Sequence, residues 1–214
     1  MTMAAVSGVM RTKALIQYKI SHHKSAGILP ATFLSGDRMT LSSLNAFLRE
    51  QLQVLYAIEH DICRSLPKII EGVSSTELKS LLKQHLQESE RHATCLESVA
   101  TQLQEKLSGG RCRAVEALLK EAVELTDRRG DDRVIDVGVI SLIRYVETFE
   151  KAAYEVARAI AEVQGESEIE KILDNNLLDE ERCEQSMTVL FEDIIDTIHE
   201  AAKGHPGTSL GARV

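Results

Sequence analysis

The stretch Ile140-Ser-Leu-Ile143-Arg-Tyr-Val-Glu147-Thr-Phe-Glu150-Lys-Ala-Ala-Tyr154-Glu-Val-Ala157-Arg-Ala-Ile-Ala161 decides how this chain folds. Residues 140, 143, 147, 150, 154, 157 and 161 recur at intervals of three and four, the spacing that lines one face of an α-helix. That face is apolar at both ends and carries two glutamates in the middle. An ionised carboxylate in an apolar interior costs several kcal/mol unless it is paired, protonated or bound to a metal. The helix therefore belongs to a bundle whose core has a polar segment.

Three more long helices show the same combination. After Ser42 or Ser43 as N-cap, Leu44, Leu48, Leu52, Leu55, Ile62, Leu66 and Ile69 form a stripe that includes Glu59, with Pro67 bending the last turn. Gly72 and the capping pattern Ser74-Ser75-Thr76-Glu77 open a second helix with the stripe Leu78, Leu81, His85, Glu88, His92, Leu96, Val99 and Leu103. Ser108-Gly109-Gly110 ends it, and a shorter amphipathic helix around Val115, Leu118, Leu119, Ala122 and Val123 reads as a crossover. The quoted helix follows Arg129-Gly130-Asp131 and stops near Gly165. A last helix, from about Ser167 to Lys203, places Ile169, Leu173, Leu177, Glu184, Met187 and Phe191 inward, with Glu180 and Glu181 at the stripe's edge. Two long hairpins joined by a crossover predict an all-α, antiparallel four-helix bundle with one short extra helix.

Counting from the turns relates the glutamates to one another, because residues equally far from a hairpin turn lie at similar height. Glu59 is 14 residues before Val73 and Glu88 is 15 after it; Glu150 is 15 before Gly165 and Glu181 is 16 after it. A second layer about one turn away holds His92, Glu147 and Glu184. Inward Glu and His at one level of four helices is the arrangement that binds two metal ions in carboxylate-bridged bundles. Carboxylates can bridge two cations and neutralise their charge, and oxygen with some imidazole suits Fe, Mn or Zn better than soft copper. The candidate ligands are Glu59, Glu88, Glu147, Glu150, Glu181 and Glu184, with His85 and His92 competing as the imidazole donor. The alternative is a metal-free charge network in which Arg91, Arg144 and Arg182 compensate the acids.

Composition narrows the function classes. The chain has 214 residues, 43% hydrophobic content, 4% aromatics and no Trp, which suits one helical domain. Of 25 basic and 33 acidic residues, five and one fall in residues 1–38, leaving −12 on the remainder. An acidic body has no electrostatic footprint for nucleic acid but attracts cations. Cys63, Cys95, Cys112 and Cys183 form no CxxC pair and read as reduced thiols of a cytoplasmic protein. No stretch approaches the roughly 20 apolar residues of a membrane span. Residues 1–38 show no sustained period and are expected to be a flexible extension, upstream of a start at Met39 or a basic, acid-poor targeting arm. Residues 39–203 are the expected bundle and 204–214 a flexible tail.

Five segments together carry a resemblance: Tyr56-Ala-Ile-Glu59-His-Asp-Ile-Cys-Arg-Ser-Leu66-Pro67-Lys68, His85-Leu-Gln-Glu88-Ser-Glu-Arg-His92, Arg111-Cys112-Arg-Ala-Val-Glu116, Val146-Glu147-Thr-Phe-Glu150 and Leu178-Asp179-Glu180-Glu181. From about residue 42 to 195 the chain resembles the YciF/YciE type of ferritin-like bacterial stress protein. The resemblance implies a ferritin-like bundle, commonly dimeric, with a di-iron centre and a role in oxidative or osmotic stress. Carried over by position, it implies Glu59, Glu88, Glu150 and Glu181 as the catalytic ligand set, with Glu147 as a further acid. The chain departs from that pattern at His92, Thr148 and Gln185, where the resemblance leads one to expect Gln, His and an acid.

The expected function is binding of two Fe ions, with Mn or Zn as alternatives, and oxidation of Fe(II) by O2 or peroxide. Glu59, Glu88, Glu150 and Glu181 would bridge and terminate the metals, with Tyr154 nearby. The competing readings are a di-manganese, peroxide-dismutating enzyme and a non-catalytic structural or adaptor bundle with a vestigial site. Self-association as a homodimer is expected through apolar residues flanking the core, such as Ile58, Leu82, Leu118 and Val139.

Overall fold

The computed structural model describes residues 43–108 and 110–203. The expectations for residues 1–38 and 204–214 fall outside them. Five helices follow in order: α1 Leu44–Gly72, α2 Thr76–Gln102, α3 Arg113–Thr126, α4 Asp132–Gln164 and α5 Ser167–Lys203. Helices α1, α2, α4 and α5 form the bundle; α1 pairs with α2 and α4, and α5 pairs with α4 and α2. Helix α3 lies against α1 and α4 and returns the chain from the far end of α2 to the start of α4. This is the bundle with crossover helix that the spacing predicts.

Helix ends follow the chemistry of their orphan backbone groups. The Ser43 hydroxyl accepts from Ala46 N at 3.2 Å, and the Ser75 hydroxyl accepts from Leu78 N at 3.1 Å. Asp136, near the start of α4, reaches across to the α1–α2 turn and accepts from the backbone N–H of Ser74 at 2.9 Å and of Ser75 at 2.8 Å. Both oxygens of this buried acid are thus used, at a helix N-terminus where negative charge is favoured. Helix α2 stops at Gln102 rather than at the glycines near 109, because Gln104 takes a left-handed φ of 56°. There Glu105 N donates to Ala100 O and Gln104 N to Thr101 O, which closes the helix. Gly165, at φ 76°, closes α4 in the same way. Pro67 does not end α1, which continues to Gly72.

The buried positions fix the phase of the repeat that the apolar stripes left open. In α1 the seam positions run 48, 52, 55, 59, 62, 66 and 69, with Ile58 and Asp61 buried beside them; in α2 they run 78, 82, 85, 89, 92, 96 and 99, with Ala93 and Ala100 beside them. In α5 they run 169, 173, 176, 180, 183 and 187. These alternating steps of four and three are the heptad seam of left-handed helix packing. The seam residues make two apolar clusters. One, toward the α1–α2 turn, contains Ile62, Leu66, Leu78, Leu82, Ile140 and Met187. The other, toward the α4–α5 turn, contains Leu48, Leu52, Leu96, Ala157 and Leu173. Between them the seam is polar. Ile58, Leu82 and Val139, expected to flank the core and support self-association, are fully buried within it, and Leu118 is half-buried.

Candidate metal centre

Six ionisable side chains fill the polar layer: Glu59 from α1, His85 and His92 from α2, Glu147 and Glu150 from α4, and Glu180 from α5. All six are buried. His85 and His92 are about two turns apart on one face of α2, so they bracket the layer.

On the side nearer the α1–α2 turn, His85 Nδ1 lies 2.9 Å from Glu147 Oε1, and the Cys183 thiol donates to that same oxygen at 3.0 Å. On the other side, His92 Nδ1 lies 2.8 Å from Glu180 Oε1 and 3.4 Å from Glu59 Oε1. The Tyr154 hydroxyl donates to Glu59 Oε1 at 2.5 Å and accepts from Asn176 Nδ2 at 3.3 Å. Its ring meets that of His92 edge to face, with centroids 6.0 Å apart. The donor atoms fall into two overlapping groups, His85–Glu147–Glu150–Glu180 and Glu59–His92–Glu180, each with its atoms within 4.8 Å of one another. Glu180 belongs to both.

Whether these residues suit a metal pair can be tested on the polar atoms that protein partners leave over. Both oxygens of Glu150, Oε2 of Glu59 and Oε2 of Glu147 are buried and accept no hydrogen bond. His85 Nε2 stands 3.9 Å from Glu150 Oε2, beyond hydrogen-bonding range. Leaving one such group unpaired costs about 1–3 kcal/mol. Four carboxylates and two imidazoles from four helices match the donor count of a carboxylate-bridged metal pair, and their charge balances two divalent cations. The residues fit.

In the metal-free protein, burial and neighbouring charges shift the pKa values across the layer. Burial opposes charging His85, but Glu147 and then Cys183 outweigh it and hold its pKa well above the usual imidazole value. Burial also opposes charging His92, while hydrogen bonds with Glu180 and Glu59 push its pKa to about 10. Burial raises Glu150 well above the carboxylate range, and the neighbouring Glu180, Glu59 and Glu147 add to that. Burial lifts Glu180 to about 8 against the opposing His92 hydrogen bond. Glu147 moves down in spite of burial, because the His85 charge sits beside it. Burial pushes the Cys183 thiol up to about 12.

Of the residues expected at the site, the layer contains Glu59, His85, His92, Glu147 and Glu150. The other three lie outside it. Glu88 is half-buried and accepts from Gln84 Nε2 at 3.0 Å, Glu181 is exposed, and Glu184 is half-buried and paired with Lys151 and Arg144. The physical reason is rotation about the helix. One residue turns the side chain by about 100°, so the seam passes through Ser89 instead of Glu88 and through Glu180 instead of Glu181. The arginines do not compensate the layer. Arg91 and Arg182 pair with Asp179, and Arg144 lies 3.9 Å from Glu184, so among the described residues none of the three pairs with the four buried glutamates. Glu180 was read only at the stripe's edge, and Ser89 and Asn176 are recognisable only from the phase of the repeat.

Fold and layer together define a ferritin-like helical bundle with a carboxylate- and histidine-lined core. The chain belongs to the family described as a domain of unknown function, DUF892, which matches residues 43–200. It is similar to Protein YciF of Escherichia coli strain K12, 25% identical over 153 residues that span 71% of this chain and 92% of that protein. The fold matches the crystal structure of the E. coli stress protein YciF with a TM-score of 0.69 and 24% identity, over 72% of this chain and 98% of that one. It also matches YcfI of Rhodopseudomonas palustris with a TM-score of 0.67 and 31% identity, over 73% and 98% of the two chains.

Proposed function

We propose that this protein binds two iron ions in the polar layer and oxidises Fe(II) with O2 or peroxide, limiting iron-driven damage under stress. The observation that carries the reading is Glu150, a fully buried carboxylate with both oxygens unpartnered among three other carboxylates and two imidazoles. Glu150 and Glu180 would be the shared donors, with His85–Glu147 and His92–Glu59 as the end donors. Bound iron would supply the electrons for reduction of the oxidant. The chain's own part is to hold the donors, to keep the layer dry between two apolar clusters, and to release protons from the groups whose pKa is raised, His92, Glu180 and Glu150, as cations bind. The Tyr154 hydroxyl fixes Glu59 through one oxygen and leaves the other directed to the layer. Metal-stripped protein titrated anaerobically with Fe(II) should bind two equivalents and, on exposure to air, develop ferric absorbance in the near ultraviolet. Binding without air-dependent oxidation would reject the oxidase reading; retention of both equivalents in Glu150→Ala would reject the site.

The same reading includes a homodimer built on α4. Tyr145, Phe149, Val156 and Val163 are exposed at 60%, 39%, 40% and 57%, and exposed Ala152 and Ala159 complete a second four-and-three seam on the helix's outer face. Such a seam suits a second copy of the chain. Sedimentation should give a dimer that Val156→Glu converts to monomer; a monomeric parent protein would contradict it. Among the described residues no helix is long and apolar enough to cross a membrane.

A further inference from the structure

The two sides of the layer differ in donor chemistry. The Glu59–His92–Glu180 side offers oxygen and nitrogen only, backed by Tyr154 and Asn176. The side toward the α1–α2 turn adds sulfur: His85, Glu147 and Cys183 bring one donor atom each within 4.8 Å of the others. The thiol and His85 Nδ1 converge on one oxygen, Glu147 Oε1, at 3.0 and 2.9 Å. That leaves His85 Nε2 and Glu147 Oε2 buried with no hydrogen-bond partner. Cys183 follows Glu180 by three residues in the α5 seam, so one helix presents a carboxylate and a thiol on the same face. Around His85 and Glu147 a cation can therefore complete its shell with the oxygens of Glu150 and Glu180 or with the sulfur of Cys183.

Hard ions favour the first choice and borderline-soft ions the second. We infer that Cys183, with His85 and Glu147, forms a subsite for a borderline-soft divalent cation of the zinc or cobalt(II) type, and so sets metal preference on this side of the layer. The inference rests on the reading that the layer binds metal. Binding breaks the Cys183 S–H bond and forms a metal–sulfur bond, the proton passing to buffer. Zinc accepts Cys sulfur, His nitrogen and carboxylate oxygen, and three protein ligands is the usual number in a zinc site that keeps a further position open.

The test is a titration of the full metal-stripped chain with Co(II) under reducing, anaerobic conditions. Wild type should develop intense near-ultraviolet thiolate-to-cobalt absorption in proportion to bound metal. Cys183→Ser should lose that absorption while keeping the helical circular dichroism of the parent, and Glu181→Gln, outside the layer, should retain it. Zinc binding to Cys183→Ser should weaken by at least the roughly tenfold to hundredfold that loss of even an outer-shell partner costs a metal site, with Mn(II) binding unchanged. Wild type that binds Co(II) without thiolate absorption overturns the inference while leaving the two-metal reading intact, and it does so whether or not the variants fold. Failure of wild type to bind Co, Zn, Fe or Mn overturns both.

Discussion

Asp136 and Glu150 lie about four turns apart on α4, and both are buried acids, but their surroundings differ in kind. Asp136 faces the α1–α2 turn and accepts two backbone N–H groups, from Ser74 and Ser75. Glu150 faces the polar layer and accepts none. The first is a buried carboxylate made structural by full hydrogen bonding. The second costs free energy as it stands and becomes favourable when a cation arrives. One helix thus carries a fold-specifying acid and a ligand-awaiting acid, and the two are told apart by satisfaction of their oxygens rather than by burial.

Substitutions can break that comparison, and the largest effect should fall on metal-induced stabilisation. At a metal concentration of a hundred times Kd, ligand binding stabilises by about 2.7 kcal/mol. Glu150→Met and Glu180→Met should lose most of this, read as the difference in unfolding midpoint with and without Fe(II) or Mn(II). Asp136→Ala should instead destabilise metal-free and metal-loaded protein alike, by about 1.5–3 kcal/mol for the loss of hydrogen bonds to a charged group. In the metal-free protein Glu150→Met should go the other way, gaining about 1–3 kcal/mol in chemical denaturation because an unpaired polar group is removed. An opposite sign there would mean that Glu150 is satisfied in solution. The smallest effect belongs to Glu88→Gln and Glu181→Gln, which should shift stability by no more than about 0.5 kcal/mol and leave metal stoichiometry unchanged.

Those last two residues mark where the sequence stops being informative by simple counting. Distance from the turns placed the polar layer at the right height, because rise per residue is fixed: Glu59, Glu147 and Glu150 all lie in it. Height does not determine rotation. Glu180 lies 15 residues past Gly165 and Glu181 lies 16, a difference immaterial in height but about 100° around the helix. The stripe read for α2 alternated three and four through Leu81 and Glu88, whereas the buried face takes the other phase, four and three, through Leu82 and Ser89. Ser89 carried no signal of its own, being small and neutral, and the charged residue beside it drew the assignment. The departures from the resembled pattern read differently in three dimensions. His92 and His85, both on α2, are the two imidazoles of the layer, whereas Thr148 is exposed and donates to Arg144 O.

Element boundaries divided in the same way. The Ser43 cap, one of the two serines read there, the Gly165 stop and the extent of α5 were legible because each is a local rule, whereas the Ser-x-x-Glu pattern begins at Ser74 and the cap of α2 is Ser75. The end of α2 was not legible, because Gln104 adopts a conformation that usually selects glycine. Self-association was assigned to Ile58, Leu82 and Val139, which the core absorbs, while the exposed seam runs through Tyr145, Phe149, Val156 and Val163.

The most direct test of the buried layer as a two-metal site is anomalous scattering at the iron edge from crystals of iron-loaded protein. Two peaks should lie between the apolar clusters, one beside His85 and Glu147 and one beside His92 and Glu59, with Glu150 and Glu180 reaching both. No peak in the layer, or peaks only beside Glu88, Glu181 or Glu184, would contradict it.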